Sequence, residues 1–81
     1  MTIKVFTKSS CPKCPPAKEL AEELKAKGEN VVMCSLDEPT GLAEAAMYDV
    51  MATPSIVITD NNDTELKSWR GEVPTLDEVK A

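Results

Sequence analysis

Histidine is absent from this 81-residue chain, and cysteine occurs three times. A tetrahedral metal site needs four ligands, so these residues alone cannot complete one without carboxylates or a second chain. Aromatic residues are scarce, with one Trp, one Tyr and one Phe. No stretch approaches the roughly 20 apolar residues of a membrane span, and the N-terminus lacks the long apolar run of a signal peptide. A cytoplasmic location is expected. The odd cysteine count does not make a secreted disulfide framework. Basic residues are outnumbered 9 to 14, and the net charge of -5 argues against a nucleic-acid partner. Repeats, low-complexity segments and linkers are also missing. The expectation is one domain over residues 1–81, near the lower size limit for folding without staples, and monomeric.

What is present centres on Cys11-Pro12-Lys13-Cys14. Two thiols separated by two residues follow an apolar run, Ile3 to Phe6, and open an amphipathic one, Ala17 to Leu24. On a strand-to-helix turn that spacing brings the sulfurs close enough to form and break a small ring, a dithiol redox site. Charge is unevenly placed around it. The first acidic residue is Glu19, so Lys4, Lys8, Lys13 and Lys18 leave residues 1–18 at +4 and the rest, by difference from -5, at -9.

Ile3-Lys4-Val5-Phe6-Thr7 reads as a buried strand. Ala17, Leu20, Ala21 and Leu24 place one apolar stripe on a helix that starts near Pro12 and that Gly28 can end. Proline suits a first helical turn; with that start, Pro15 and Pro16 lie at its limit and predict a kink or tightened turn near Pro16. Asn30 to Leu36 reads as a second strand, parallel to the first through a right-handed crossover. Asp37-Glu38-Pro39 then places acids at a helix start, with Leu42, Ala43, Ala46 and Met47 as its buried face and Gly41 as a weakness. Ser55 to Thr59 is a third strand. The turn formers of Asp60 to Asp63 lead into a fourth from Thr64 to Trp69, giving an antiparallel hairpin. Thr75-Leu76-Asp77-Glu78 has capping-box spacing, and Leu76 and Val79 can dock a last short helix.

The order strand, helix, strand, helix, strand, strand, helix, with Cys-X-X-Cys ending the first strand and Thr53-Pro54 opening the third, resembles the thioredoxin fold in its small glutaredoxin-like form. That resemblance implies an α/β domain of βαβαββα order, a mixed four-stranded sheet flanked by three helices. Trp69-Arg70-Gly71-Glu72-Val73-Pro74 is similar to the W-S-G-F-x-P signature of NrdH redoxins, electron donors of ribonucleotide reductase; Trp, Gly and Pro match. Thr7-Lys8-Ser9-Ser10-Cys11-Pro12 is similar to the start of a glutaredoxin active-site loop. Lys13 replaces the aromatic residue common there, and the glycine pair followed by aspartates that helps hold glutathione is missing. The resemblance implies a cis peptide at Thr53-Pro54 that leaves the Thr53 backbone free to pair with an extended substrate. It further implies substrate contacts from Lys8, Pro12, Lys13, Thr53, Pro54, Trp69 and Gly71, and no cofactor beyond the Cys11-Cys14 disulfide.

Attack on a disulfide needs a thiolate, and a free cysteine, with pKa about 8.5, is mostly protonated at neutral pH. Unpaired amides at the helix start, the helix dipole, Lys8 and Lys13 are expected to hold the Cys11 thiol below that value. Cys11 is the expected nucleophile and Cys14 the resolving thiol. The expected partner is a protein disulfide such as that of ribonucleotide reductase, and the expected reductant is thioredoxin reductase-like. A glutathione-dependent glutaredoxin and a noncatalytic metal or binding module on the same fold are the rivals. Cys34, in an apolar strand, reads as an inert buried thiol. Lys8 and Lys13 can also be solvated lysines, Trp69 a cover for the sheet end, Asp37 and Glu38 plain helix-start acids, and Met33, Met47 and Met51 core filler or site margin.

Overall fold

Alternation on the first strand is what organises the molecule. The computed structural model describes residues 1–80, in the order β1 (Thr2–Thr7), α1 (Cys14–Ala26), β2 (Val31–Ser35), α2 (Pro39–Met47), β3 (Ser55–Thr59), β4 (Glu65–Arg70) and α3 (Leu76–Lys80). The strands form one sheet in the order β2-β1-β3-β4, with β1 parallel to β2 and the other two pairings antiparallel. This is the mixed sheet and βαβαββα order expected. Ile3 and Val5 of β1 point to one face, where Ile56, Ile58, the α1 stripe and Val79 of α3 meet them. Phe6 points to the other, where Val57, Cys34, Ala45 and Tyr48 enclose it. Each fully buried side chain such as Phe6 or Leu24 contributes about 1.5–3 kcal/mol of apolar transfer.

Helix α1 buries Ala17, Leu20, Ala21 and Leu24, as their spacing predicts, and adds Cys14 to the same stripe. Its end is a Schellman turn: the Gly28 amide donates to the Lys25 carbonyl (3.0 Å) and the Glu29 amide to that of Leu24 (3.0 Å), with Gly28 at φ +84°. Its start differs from expectation. The helix begins at Cys14, not near Pro12, so Pro15 and Pro16 fall in its first turn, where amides have no intrahelical partner. It runs unbroken for 13 residues, and the tightening lies earlier, where the Cys14 amide reaches the Cys11 carbonyl (3.4 Å).

Helix α2 turns a different face inward from the one its apolar residues predict. Gly41, Ala45 and, just past its end, Tyr48 are buried, whereas Ala43 and Ala46 are exposed and Leu42 and Met47 are 55% and 63% exposed. Glycine is the reason. At Gly41 the helix comes so near β2 that a Cβ would overlap the Ser35 backbone, lying 2.6 Å from its carbonyl carbon. Close approach of two backbones, not side-chain hydrophobicity, sets the rotation of this helix.

Lys4 alternates onto the α2 face and is buried there. Its Nζ donates to Glu44 Oε2 (2.8 Å) and to the Tyr48 hydroxyl (3.3 Å), and lies 4.8 Å from the Tyr48 ring centre. A buried charge persists when paired and hydrogen-bonded in this way. The β3–β4 hairpin forms with register Ile56 to Trp69, and its turn is held by Asp60 Oδ1, which accepts the amides of Asn62 (2.8 Å) and Thr64 (3.0 Å). The Thr75–Glu78 capping box closes reciprocally, each side chain accepting the other's amide (3.2 and 3.3 Å). Among the described residues, no helix is long and apolar enough to cross a membrane.

Candidate active site

Strand β1 delivers the chain to a short turn at the sheet's carboxyl end, and that turn carries Cys11. The Cys11 amide donates to the Lys8 carbonyl (3.3 Å) and the Cys14 amide to the Cys11 carbonyl (3.4 Å), so Cys11 sits where two consecutive turns join. Cys11 and Cys14 are joined in a disulfide with their Cα atoms 5.4 Å apart. Their exposure differs: Cys11 is 8% exposed and Cys14, as first residue of α1, 1%. An attacking thiol should be the reachable one and a resolving thiol the enclosed one, and the two sulfurs are ordered in that way.

The electrostatics at the helix start differ from the sequence expectation. Cys11 lies ahead of the first helical turn, the Cys14 amide is engaged by the Cys11 carbonyl, and Pro12, Pro15 and Pro16 have no N–H. Fewer amides can therefore meet a Cys11 thiolate than a proline-free turn would offer.

Cys11 opens into a shallow groove of about 320 Å³ whose walls include Lys8, Pro12, Leu36, Met51 and Thr53. The peptide between Thr53 and Pro54 is cis, as the resemblance implies, and Pro54 is buried behind it. Gly71 belongs to the same wall at one remove. Its amide donates to Ser55 Oγ (3.2 Å), which donates to the Ala52 carbonyl (2.6 Å) beside Thr53. Lys13 is exposed and precedes α1 without lining the groove. Trp69 is not brought to it either: half-buried on β4, it packs against the α1-side core, with Lys67 Nζ 6.0 Å from its ring centre.

Of the two readings open for the methionines, core filler or site margin, Met51 is site margin, 89% exposed at the groove rim, and Met33 and Met47 are exposed too, so none of the three fills the core. Two groups escaped the sequence reading. Ser55 links Ala52 to Gly71, a tie with no local sequence sign. Asp37 caps nothing on α2; its Oδ2 accepts the Ser9 amide (2.7 Å), 28 residues away in the chain. Cys34 is a free, buried thiol as expected, pushed up by burial and further by the Glu44 carboxylate, with Lys4 opposing.

A small disulfide ring at the carboxyl end of a central strand, its outer sulfur facing an open groove beside a cis-proline, defines a redox-active member of the thioredoxin-fold class. The model of the thioredoxin domain family matches residues 1–81, and the chain belongs to that family. It is 38% identical over 64 residues to a thioredoxin of Methanocaldococcus jannaschii, covering 78% of this chain and 73% of the relative. It is 37% identical over 60 residues to a probable thioredoxin of Archaeoglobus fulgidus, covering 72% of this chain and 65% of the relative. Thioredoxin 1 of Thermosipho africanus superposes with a TM-score of 0.77 at 20% identity, over 98% of this chain and 85% of the other, a likeness of fold. These matches are to thioredoxins at large; the finer NrdH resemblance rests on Trp69, Gly71 and Pro74.

Proposed function

We propose that this chain is a monomeric, single-domain cytoplasmic redoxin that reduces protein disulfides through Cys11 and Cys14. The observation that carries the reading is the bonded pair with its unequal exposure. In the reduced protein the Cys11 thiolate attacks one sulfur of a substrate disulfide, forming a mixed disulfide and expelling the other sulfur as a thiolate that takes up a proton. Cys14 gives up its proton and attacks Cys11 Sγ, which frees the second substrate thiol and closes the ring. Two electrons have moved to the substrate, and an external dithiol or flavin reductant returns two to the ring. The Thr53 backbone pairs with an extended substrate segment that Lys8 and Pro12 meet along the groove, Pro54 and Gly71 back the Thr53 wall, and Lys13 and Trp69, outside the groove, meet only the surface of a substrate protein beyond it.

The disulfide of ribonucleotide reductase is the substrate that the Trp69-x-Gly71-x-x-Pro74 match favours, with a thioredoxin reductase-like enzyme as reductant. Glutathione is the second reading, favoured by Lys8, a cation on the groove wall that can meet a carboxylate. Insulin reduction driven by thioredoxin reductase, compared with glutathione plus its reductase, separates the two; turnover with neither overturns the redoxin reading. Replacing the resolving thiol gives an independent check. Cys14→Ser is expected to accumulate a covalent adduct with its substrate, detected by mass spectrometry and released by dithiothreitol. Normal turnover of protein disulfides by Cys14→Ser would leave only a monothiol route.

A further inference from the structure

Residues 8–13, which carry the nucleophile, contain little regular structure. The backbone bonds within this stretch are long, 3.3 Å from the Cys11 amide to the Lys8 carbonyl and 3.4 Å from the Cys14 amide to that of Cys11, and Pro12 donates none. Shorter bonds come from the loop between β2 and α2. The Leu36 amide donates to the Thr7 carbonyl (2.8 Å), and Asp37 Oδ2 accepts the Ser9 amide (2.7 Å) from inside the Lys8–Cys11 turn. Asp37 is itself held, its amide donating to Ser35 Oγ (3.2 Å). Its carboxylate is therefore committed to the nucleophile's turn, and Glu38, not Asp37, occupies the cap position of α2.

We propose that Asp37 is a positioning residue for Cys11, fixing through the Ser9 amide the turn that aims the nucleophile at the groove. A bond to an ionised acceptor is stronger than a neutral one, and here it extends the β1–β2 pairing, which ends at Thr7 and Ser35, two residues further into both loops. The inference rests on the reading of Cys11 as nucleophile. It predicts that the hydrogen bond, not the negative charge, is what counts. A carboxylate acting by charge alone would disfavour the thiolate, so its removal would speed attack.

The test uses Cys14→Ser protein and an aromatic disulfide reagent whose coloured half leaves as Cys11 forms the mixed disulfide. Adding Asp37→Ala is expected to slow that step on the order of fivefold and to raise the thiol's titration midpoint, read from ultraviolet thiolate absorbance. Adding Asp37→Asn, which retains an oxygen acceptor, should keep the rate within about twofold. An unchanged rate in Asp37→Ala overturns the proposal. So does an equal change, slower or faster, in both variants. Should Asp37→Ala fail to fold, amide hydrogen exchange at Ser9 in the wild type decides: protection supports the bond, and exchange as fast as a free loop amide overturns it. The reagent needs no biological partner, so this result stands apart from the reductase-coupled assays that test the redoxin reading.

Discussion

As the proposed nucleophile, Cys11 sits in a turn where prolines remove amide donors, and the neighbouring lysine charges are proposed to share in holding its thiolate. Lys8 lines the groove and Lys13 lies between the two cysteines, both exposed, so their effect is screened by salt. Replacing both with Gln is expected to raise the Cys11 titration midpoint by up to about one pH unit and to slow attack severalfold at neutral pH. Ultraviolet titration of the reduced protein checks this, and moderate salt should reproduce part of the effect in the wild type. No change would assign the thiolate's stability to the helix dipole alone. The two cysteines and Thr53-Pro54 were legible in the sequence because each motif is local, its chemistry set by residues side by side. Asp37 was not, because its partner is an amide 28 positions away and nothing in an Asp-Glu-Pro stretch distinguishes a brace from a cap.

Helix α2 shows where reading elements from their own residues fails. The stripe of α1 follows from its periodicity and β3 from a short unbroken run centred on Ile56-Val57-Ile58, since in both the residues that make the pattern are the ones buried. In α2 Leu42, Ala43, Ala46 and Met47 lie outside, and Gly41 and Ala45 lie inside. Helix propensity alone predicts that Gly41→Ala stabilises by about 1 kcal/mol. The Ser35 backbone decides otherwise: the new methyl would overlap atoms that cannot swing aside, and forced overpacking typically costs 1–3 kcal/mol or more. The expected outcome is a net loss of about 2 kcal/mol or more, read as a lower urea midpoint. A gain in stability would mean that α2 can slide off β2 at little cost.

At the scale of the whole molecule, one polar network joins the sheet, α2 and the hairpin. Lys4 meets Glu44 and lies 3.8 Å from Asp63; the Tyr48 hydroxyl donates to the Asp63 carbonyl (2.8 Å), and Arg70 donates to the Tyr48 carbonyl (2.6 Å). Burial alone would lower the Lys4 pKa, but its hydrogen bonds to Glu44 and Tyr48 and their nearby charge raise it above the ordinary 10.5. The folded protein therefore holds this proton more tightly than the unfolded chain does. The resulting stability is complete below 10.5 and is lost as pH climbs through the raised value. Urea unfolding across the alkaline range should show this loss in the wild type and a flatter profile in Lys4→Met. Identical profiles would mean that the pairing adds nothing to folding. Nothing beside Lys4 in the sequence marks it as a buried, paired charge, because the helix that buries it and supplies Glu44 arrives 40 residues later.

The sheet also separates the two ends of the molecule. Strand β1 runs from Thr2 toward the Cys11–Cys14 turn, and the amino terminus rests against Asn61 in the turn beyond the far end of β3, its nitrogen 3.2 Å from Oδ1. An affinity handle, a fluorophore or a linker to an electrode attached at Met1 would thus sit a full strand length from the sulfur rim. Immobilised by that end, the protein would still offer its exchanging thiol outward to whatever passes.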